Sequence, residues 1–221
     1  MKLLSVNVGL PRLVLHHGEP VSTGIFKEPV TGPVVLKTLN LEGDRQADLS
    51  VHGGPSKAVY AYPSEHYEYW KQELPDMELP WGMFGENFTT SGLNQADVGV
   101  GDKFRVGSAV LMATEPRLPC YKLGIKFGRP DILRRFLDSG RTGFYFAVLQ
   151  EGTVTAGDEI VLLERNKDTL KIDDITRLYV HDKHNADLLR RAVSLEALSE
   201  SWRDYFRREL EKLTDGKDAQ G

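Results

Sequence analysis

Residues Lys2–Val8 (KLLSVNV) alternate apolar and polar side chains, the two-residue period of a strand with one buried face. Gly18, Pro20, Gly24, Pro29 and Pro33 divide the next stretch into short extended pieces, and Val34–Leu36 predicts another strand, with Leu39 and Leu41 beyond it. Ala58–Ala61 predicts a strand just past the Gly53-Gly54 pair. The period then changes. SEHYEYWKQEL puts Tyr67, Trp70 and Leu74 on one helical face, with Ser64 as the expected N-cap and Glu65 in the first turn. That aromatic stripe predicts core packing.

A glycine-dense run from Trp81 to Gly107 suits tight turns between short strands. Gly101-Asp102 leads into KFRVGSAVLMA, and VTAGDEIVLL repeats the theme at Val154–Leu163. Two such turns feeding alternating strands predict a closed or nearly closed antiparallel barrel. EPRLPCYKLGIKFGRP lies between those strands, with PRLPC as a stiff loop, and is followed by DILRRFLDSG as a helix with Ile132, Leu133, Phe136 and Leu137 on its apolar face and by RTGFYFAVLQ as a strand. After about residue 165 no glycine or proline occurs before Gly216, and apolar residues recur every three or four positions. Asp173 or Asp174, Asn185 and Ser199 are candidate caps that cut this part into about three helices. The expected fold class is α+β, with a β-rich barrel over residues 1–165 and a small helical domain over 166–221 whose last residues fray.

Composition adds bounds to this picture. The chain has 221 residues, 40% hydrophobic, enough for a sizeable core. A formal net charge of −4 gives no global attraction for nucleic acid or anionic membrane, although local basic patches are still open. One cysteine excludes an internal disulfide framework and any all-cysteine metal site, and fits a reducing compartment. Ser5, Asn7 and Pro11 interrupt the apolar start before a signal-peptide core forms, and no run reaches the roughly 18 apolar residues of a membrane span. A soluble, cytoplasmic protein is expected.

Candidate chemistry gathers in a few places. GDRQADLSVHGGPSKAVYAY sets Arg45, His52 and Lys57 around Gly53-Gly54, so fixed positive charge and accessible backbone N–H groups fall together, as an anionic group requires. Arg45 has Asp44 and Asp48 as competing ion-pair partners, His52 has nearby carbonyls, and the glycine pair is also an ordinary turn. Cys120 lies in PRLPCYK, held stiffly by Pro116 and Pro119 between Arg117 and Lys122. The two cations favour a thiolate that attacks or ligates a soft metal, while a buried inert cysteine is the competing reading. Asn87 in FGEN serves either a polar ligand edge or a turn, and Arg141-Thr142 in GRTGF either contacts an anion or belongs to the surface. His181 and His184 lack a third zinc ligand nearby. P-loop, dinucleotide and serine-hydrolase motifs are absent.

Taken in order, GDRQADLSVHGGPSKAVYAYP, FGENFTTSGL, PRLPC, GRTGFYFAVL and GTVTAGDEI resemble the MOSC domain, named for the C-terminal domain of molybdenum cofactor sulfurases. The resemblance covers roughly residues 20–165, and the helices beyond resemble the three-helix domain of the YiiM-like branch. It implies a β-rich barrel that binds the molybdenum cofactor, a molybdopterin carrying a phosphate and a dithiolene-held metal. Cys120 is then the implied catalytic residue and metal ligand, and Arg45, His52, Gly53, Gly54, Lys57, Asn87, Arg117, Arg141 and Thr142 the implied cofactor contacts. YiiM-like proteins are associated with reduction of N-hydroxylated compounds such as 6-hydroxylaminopurine, which implies a small N-hydroxylated substrate and a separate electron-donating reductase. Two alternatives stay open: a cofactor carrier or sulfur-transfer protein with a Cys120 persulfide, and a non-catalytic anion-binding module. The class is compatible with a homodimer.

Overall fold

A computed structural model of the chain describes residues 1–47, 53–167 and 169–218. Strand β1 (Lys2–Val8) is followed by the hairpin β2 (Arg12–His16) and β3 (Glu19–Thr23), then by the short β4 (Glu28–Pro29) and β5 (Val34–Leu36). β6 (Val59–Pro63) runs into helix α1 (Ser64–Glu73), and β7 (Phe88–Ser91), β8 (Lys103–Val106) and β9 (Ala109–Pro116) come next. Helices α2 (Tyr121–Phe127) and α3 (Ile132–Asp138) precede β10 (Phe144–Gln150), β11 (Gly152–Val154) and β12 (Ile160–Glu164). Helices α4 (Ile172–Val180), α5 (Ala186–Ser194) and α6 (Glu200–Asp218) end the described chain.

Eight strands form one sheet in the order β12-β8-β9-β10-β6-β7-β1-β4. The expected mixed α+β class holds, but the expected closed barrel does not form. The sheet curls until Lys2 bridges Glu159, with Leu3 N–H donating to Asp158 O at 2.9 Å, and no ladder joins β1 to β12. Residues 155–158 turn back on themselves there, Asp158 N–H donating to Thr155 O and Thr155 N–H to the Asp158 carboxylate, so their backbone is not extended for a ladder. The sheet is not purely antiparallel either. β6 and β7 pair in parallel, Ala61 opposite Phe88, because α1 carries the chain between them as a crossover.

β6 shows how the molecule is layered. All five of its residues are buried, and its side chains alternate between two cores. Val59 and Ala61 enter a large cluster with Leu3, Phe104, Phe144 and Phe146, while Tyr60 and Tyr62 enter an aromatic cluster with Tyr67, Trp70, Phe84 and Phe136. The Tyr67, Trp70 and Leu74 stripe is thus core, as its spacing predicts. Ser64 is the first helical residue of α1 rather than its cap, since Pro63 occupies that position. Asn185 caps α5 by accepting from Leu188 N–H at 3.1 Å, and Asp174, inside α4, accepts from Lys171 N–H at 3.0 Å.

One helix, α2, follows the PRLPC loop in a stretch where the sequence predicts no element. Leu123 and Phe127, four apart, bury the same side of it, and Gly128 ends it at φ 65°. The internal Gly124 weakens the helical signal there.

Candidate cofactor cleft

Most of the candidate residues converge at one end of the sheet. A cleft there is bounded by the segment after β3 (Thr23–Lys27), by residues 45–47 and 53–57, by Gly85 and Asn87 before β7, and by the loop from Arg117 into α2. Its floor, Tyr60 and Tyr145, belongs to a row across three strands that Glu115 continues into the neighbouring hollow. Tyr60 of β6 pairs with Tyr145 of β10, and Tyr145 pairs with Glu115 of β9, so the three side chains share one face. A bulge sets this row. Phe146 lies opposite Ala113 and Tyr145 opposite Glu115, leaving Thr114 extra, its hydroxyl donating to Ser56 O and Tyr145 O at 2.6 and 3.0 Å. Were Thr114 paired in regular register, Glu115 would share the face of Ala113 toward the large core; because Thr114 bulges out, Glu115 stands beside Tyr145.

The cleft is cationic. Lys27, Arg45, Lys57, Arg117 and Lys122 line it, and no Asp or Glu does among the described residues. Lys27 is neutralised from behind by an ion pair with buried Asp44, which also accepts from Gly9 N–H at 2.9 Å and Asn87 Nδ2 at 3.0 Å. Burial lowers the Lys27 pKa against the pull of Asp44. Arg117 is buried, with its guanidinium 4.8 Å from the Tyr60 ring centre and 5.4 Å from that of Phe136. Burial opposes its charge, but Tyr60, Tyr145 and Cys120 outweigh that and hold its pKa above the usual value. Its Nη1 has no hydrogen-bond partner among the described residues. A buried cationic donor left open toward a cleft is suited to an anionic ligand.

Glycines bring the walls together. A Cβ at Gly24 would stand 2.4 Å from Arg45 O, and one at Gly85 2.8 Å from Ile25. Gly53 and Gly54 have φ values of 101° and 92°, so the backbone enters the short helical turn Pro55–Lys57 by a route that side chains oppose. Behind Gly85 the buried Glu86 carboxylate accepts from Gly82 N–H at 2.7 Å, Phe84 N–H at 3.0 Å and the Tyr67 hydroxyl, which fixes the loop carrying Asn87. Asn87 accepts from Tyr60 N–H at 3.1 Å and donates to Asp44, so its side chain holds the floor and the cationic wall in register.

Of the candidates, Arg45, Gly53, Lys57, Asn87, Arg117 and Cys120 meet at this cleft. Gly54 adjoins it, and His52 lies outside the described residues. Thr142 is buried behind the floor, where its carbonyl accepts from the Tyr60 hydroxyl at 2.7 Å. Arg141 belongs elsewhere: it stacks at 4.1 Å over Tyr69 and lines a separate hollow with His66, Gln95 and Asp173. Cys120 is half-buried and immediately precedes α2. Sequence reasoning did not reach Glu115, Tyr60 and Tyr145. Glu115 did carry a signal, as a charged residue inside an apolar strand directly before PRLPC.

Comparison with known proteins agrees with this architecture. Residues 48–161 match the MOSC domain, and residues 172–213 match the YiiM-like, 3-alpha helix domain. Protein YflK of Bacillus subtilis is 42% identical over 96% of this chain and 95% of its own, and protein YiiM of Escherichia coli 37% identical over 84% and 82%. A Gibberella moniliformis protein named reductase is 34% identical over 90% of this chain but only 34% of its own length. The crystal structure of YiiM from Geobacillus stearothermophilus superposes with a TM-score of 0.80 at 37% identity, covering 95% of this chain and 98% of that one. The chain therefore belongs to the MOSC domain family and carries the YiiM-like three-helix domain behind it.

Proposed function

We propose that the protein is a molybdenum-cofactor-dependent oxidoreductase that reduces N-hydroxylated compounds such as 6-hydroxylaminopurine. The observation that carries this reading is a cleft with five basic side chains, no carboxylate among its described lining residues and a cysteine on its wall, in a chain whose net charge is −4. The residues fit the group: the open Nη1 of Arg117 and the close glycine walls suit a phosphate-bearing pterin, and a thiolate suits a soft metal centre. Arg45, Lys57 and Arg117 would hold the phosphate and pterin, the backbone at Gly53-Gly54 would approach them, and Cys120 would reach the metal. Family membership and a relative named reductase support the same class.

When bound, the cofactor supplies two electrons through its metal. The reaction is R–NHOH + 2 e⁻ + 2 H⁺ → R–NH2 + H2O, in which the N–O bond breaks and the oxygen leaves as water. The chain's own residues bind and orient the cofactor and shield the reacting end, with Tyr60 and Tyr145 as an apolar floor. The electrons come from a separate reductase. A half-buried Cys120 equally suits a persulfide in a carrier or sulfur-transfer protein. Purification from a host that makes the cofactor, with assays for bound molybdenum and for reduction of 6-hydroxylaminopurine by a supplied electron donor, separates the two. Turnover that disappears in Cys120→Ala is expected. Bound molybdenum without turnover would assign the carrier role, and neither would leave an anion-binding module.

A further inference from the structure

A second hollow adjoins the cleft across Lys57, Leu118, Cys120 and Tyr145, and opens between β9 and the C-terminal helices. Its far wall is aromatic: Tyr179 of α4 lies 5.3 Å from Trp202 and 5.1 Å from Tyr205 of α6, between ring centres. Facing them from the sheet are Tyr145 and Glu115. Glu115 is 1% exposed, and one of its oxygens lies 3.4 Å from Lys57 Nζ. The other, Oε2, has no hydrogen-bond partner of ordinary geometry among the described residues; burial raises the Glu115 pKa, and Lys57, Ser199 and Trp202 oppose that rise. A buried, unspent acceptor in an aromatic slot is costly unless a ligand donor satisfies it.

We propose that this hollow seats the flat body of a heteroaromatic hydroxylamine, with Tyr179, Trp202 and Tyr205 against its rings and Glu115 Oε2 accepting from an N–H on its edge, so that the three-helix domain selects the substrate. The assignment rests on the reductase reading above and adds to it a place and a specificity. The hollow shares Cys120 with the cofactor cleft, so a substrate lying in it presents its N–O group where the two spaces meet. A flat ring system matches a wall of closely spaced aromatic side chains, whereas a puckered aliphatic ring does not. Lys57, paired with Glu115 on one side and lining the cleft on the other, opposes the rise that burial imposes on the Glu115 pKa and holds the two spaces in register.

The test is calorimetric titration of the full cofactor-loaded chain with adenine, a flat amine of the product class, against cyclohexylamine as the puckered control. Adenine is expected to bind saturably and cyclohexylamine not to bind. Tyr205→Leu and Glu115→Gln are each expected to weaken adenine binding about tenfold or more, as loss of one stacked ring or one charged acceptor does. Tyr179→Leu provides the same test should either variant melt early. Equal binding of both amines, or unchanged adenine binding in correctly folded Tyr205→Leu and Glu115→Gln, would overturn the assignment. Turnover separates this result from the wider reading. Undiminished reduction of 6-hydroxylaminopurine by both variants would refute the hollow and spare the reductase, while tight adenine binding without turnover would refute the reductase and leave the hollow as a flat-amine site.

Discussion

His66 is buried on α1, and its Nδ1 makes no hydrogen bond among the described residues. Burial first, and the Arg141 guanidinium second, lower its pKa from 6.5 to about 3. The unfolded chain therefore takes up a proton between pH 6.5 and 3 that the folded chain refuses, and stability falls as pH falls through that window. The loss reaches on the order of 3 kcal/mol by pH 4. His66→Gln is expected to show a shallower drop in denaturation midpoint between pH 6.5 and 4; parallel curves for the two proteins would contradict the assignment. Arg117 makes a second expectation at this scale. Arg117→Lys keeps the charge but removes the planar fork held over Tyr60 and Phe136, so molybdenum content after purification should fall about tenfold while the melting temperature stays within a few degrees. Full occupancy in that variant would remove Arg117 from the cofactor site.

At the scale of elements, GRTGF is a motif whose weight lies in its second glycine. Gly143 sits at φ 65°, and a Cβ there would lie 2.5 Å from Ala61 O and within 3 Å of the Tyr60 and Tyr62 rings. Its carbonyl also accepts from Arg117 N–H at 3.2 Å. Gly143→Ala should cost about 2–5 kcal/mol and depress the melting temperature by about 5–15 °C, with cofactor content falling because Tyr60 and Arg117 shift together. A variant that melts with the parent would show the contact to be soft. This is also where the sequence stopped being readable. The strands and the C-terminal helices follow from hydrophobic period, and the cationic loop from its composition. Parallel pairing of β6 with β7 was implicit in a helix between two strands, but an antiparallel barrel was the simpler reading of alternating segments. The Tyr60-Tyr145-Glu115 row could not be read at all, because it depends on a single extra residue, Thr114, that changes which face Glu115 occupies. Asn87 was legible as a polar residue in an apolar loop, yet only its partners, Tyr60 and Asp44, disclose that it holds the site together.

For the whole molecule, the question is whether residues beyond 165 are an appendage or part of one fold. Ile172, Ile175, Leu178, Leu189 and Phe206 are buried in the same cluster as Val98, Val100, Phe104 and Phe146 of the sheet region, with no gap between them. The backbone is joined as well: Val100 N–H donates to Leu170 O and Ile172 N–H to Val98 O, each at 3.0 Å. Asp102, fully buried after the first Gly-Asp turn, accepts from Asn166 N–H at 2.8 Å and pairs with Arg165 at 3.3 Å, anchoring the start of the crossing. Each of those apolar side chains is worth about 1.5–3 kcal/mol when fully buried, so uncovering several exhausts the roughly 5–15 kcal/mol that holds a domain folded. Calorimetry of the full chain is therefore expected to show one cooperative transition, and a chain ending at residue 165 to be insoluble or to melt without a transition. Two separated transitions, or a stable truncated sheet, would make the helices an independent domain. The same joining bears on function, since a hollow built from β9, α4 and α6 keeps its shape only while sheet and helices melt as one unit.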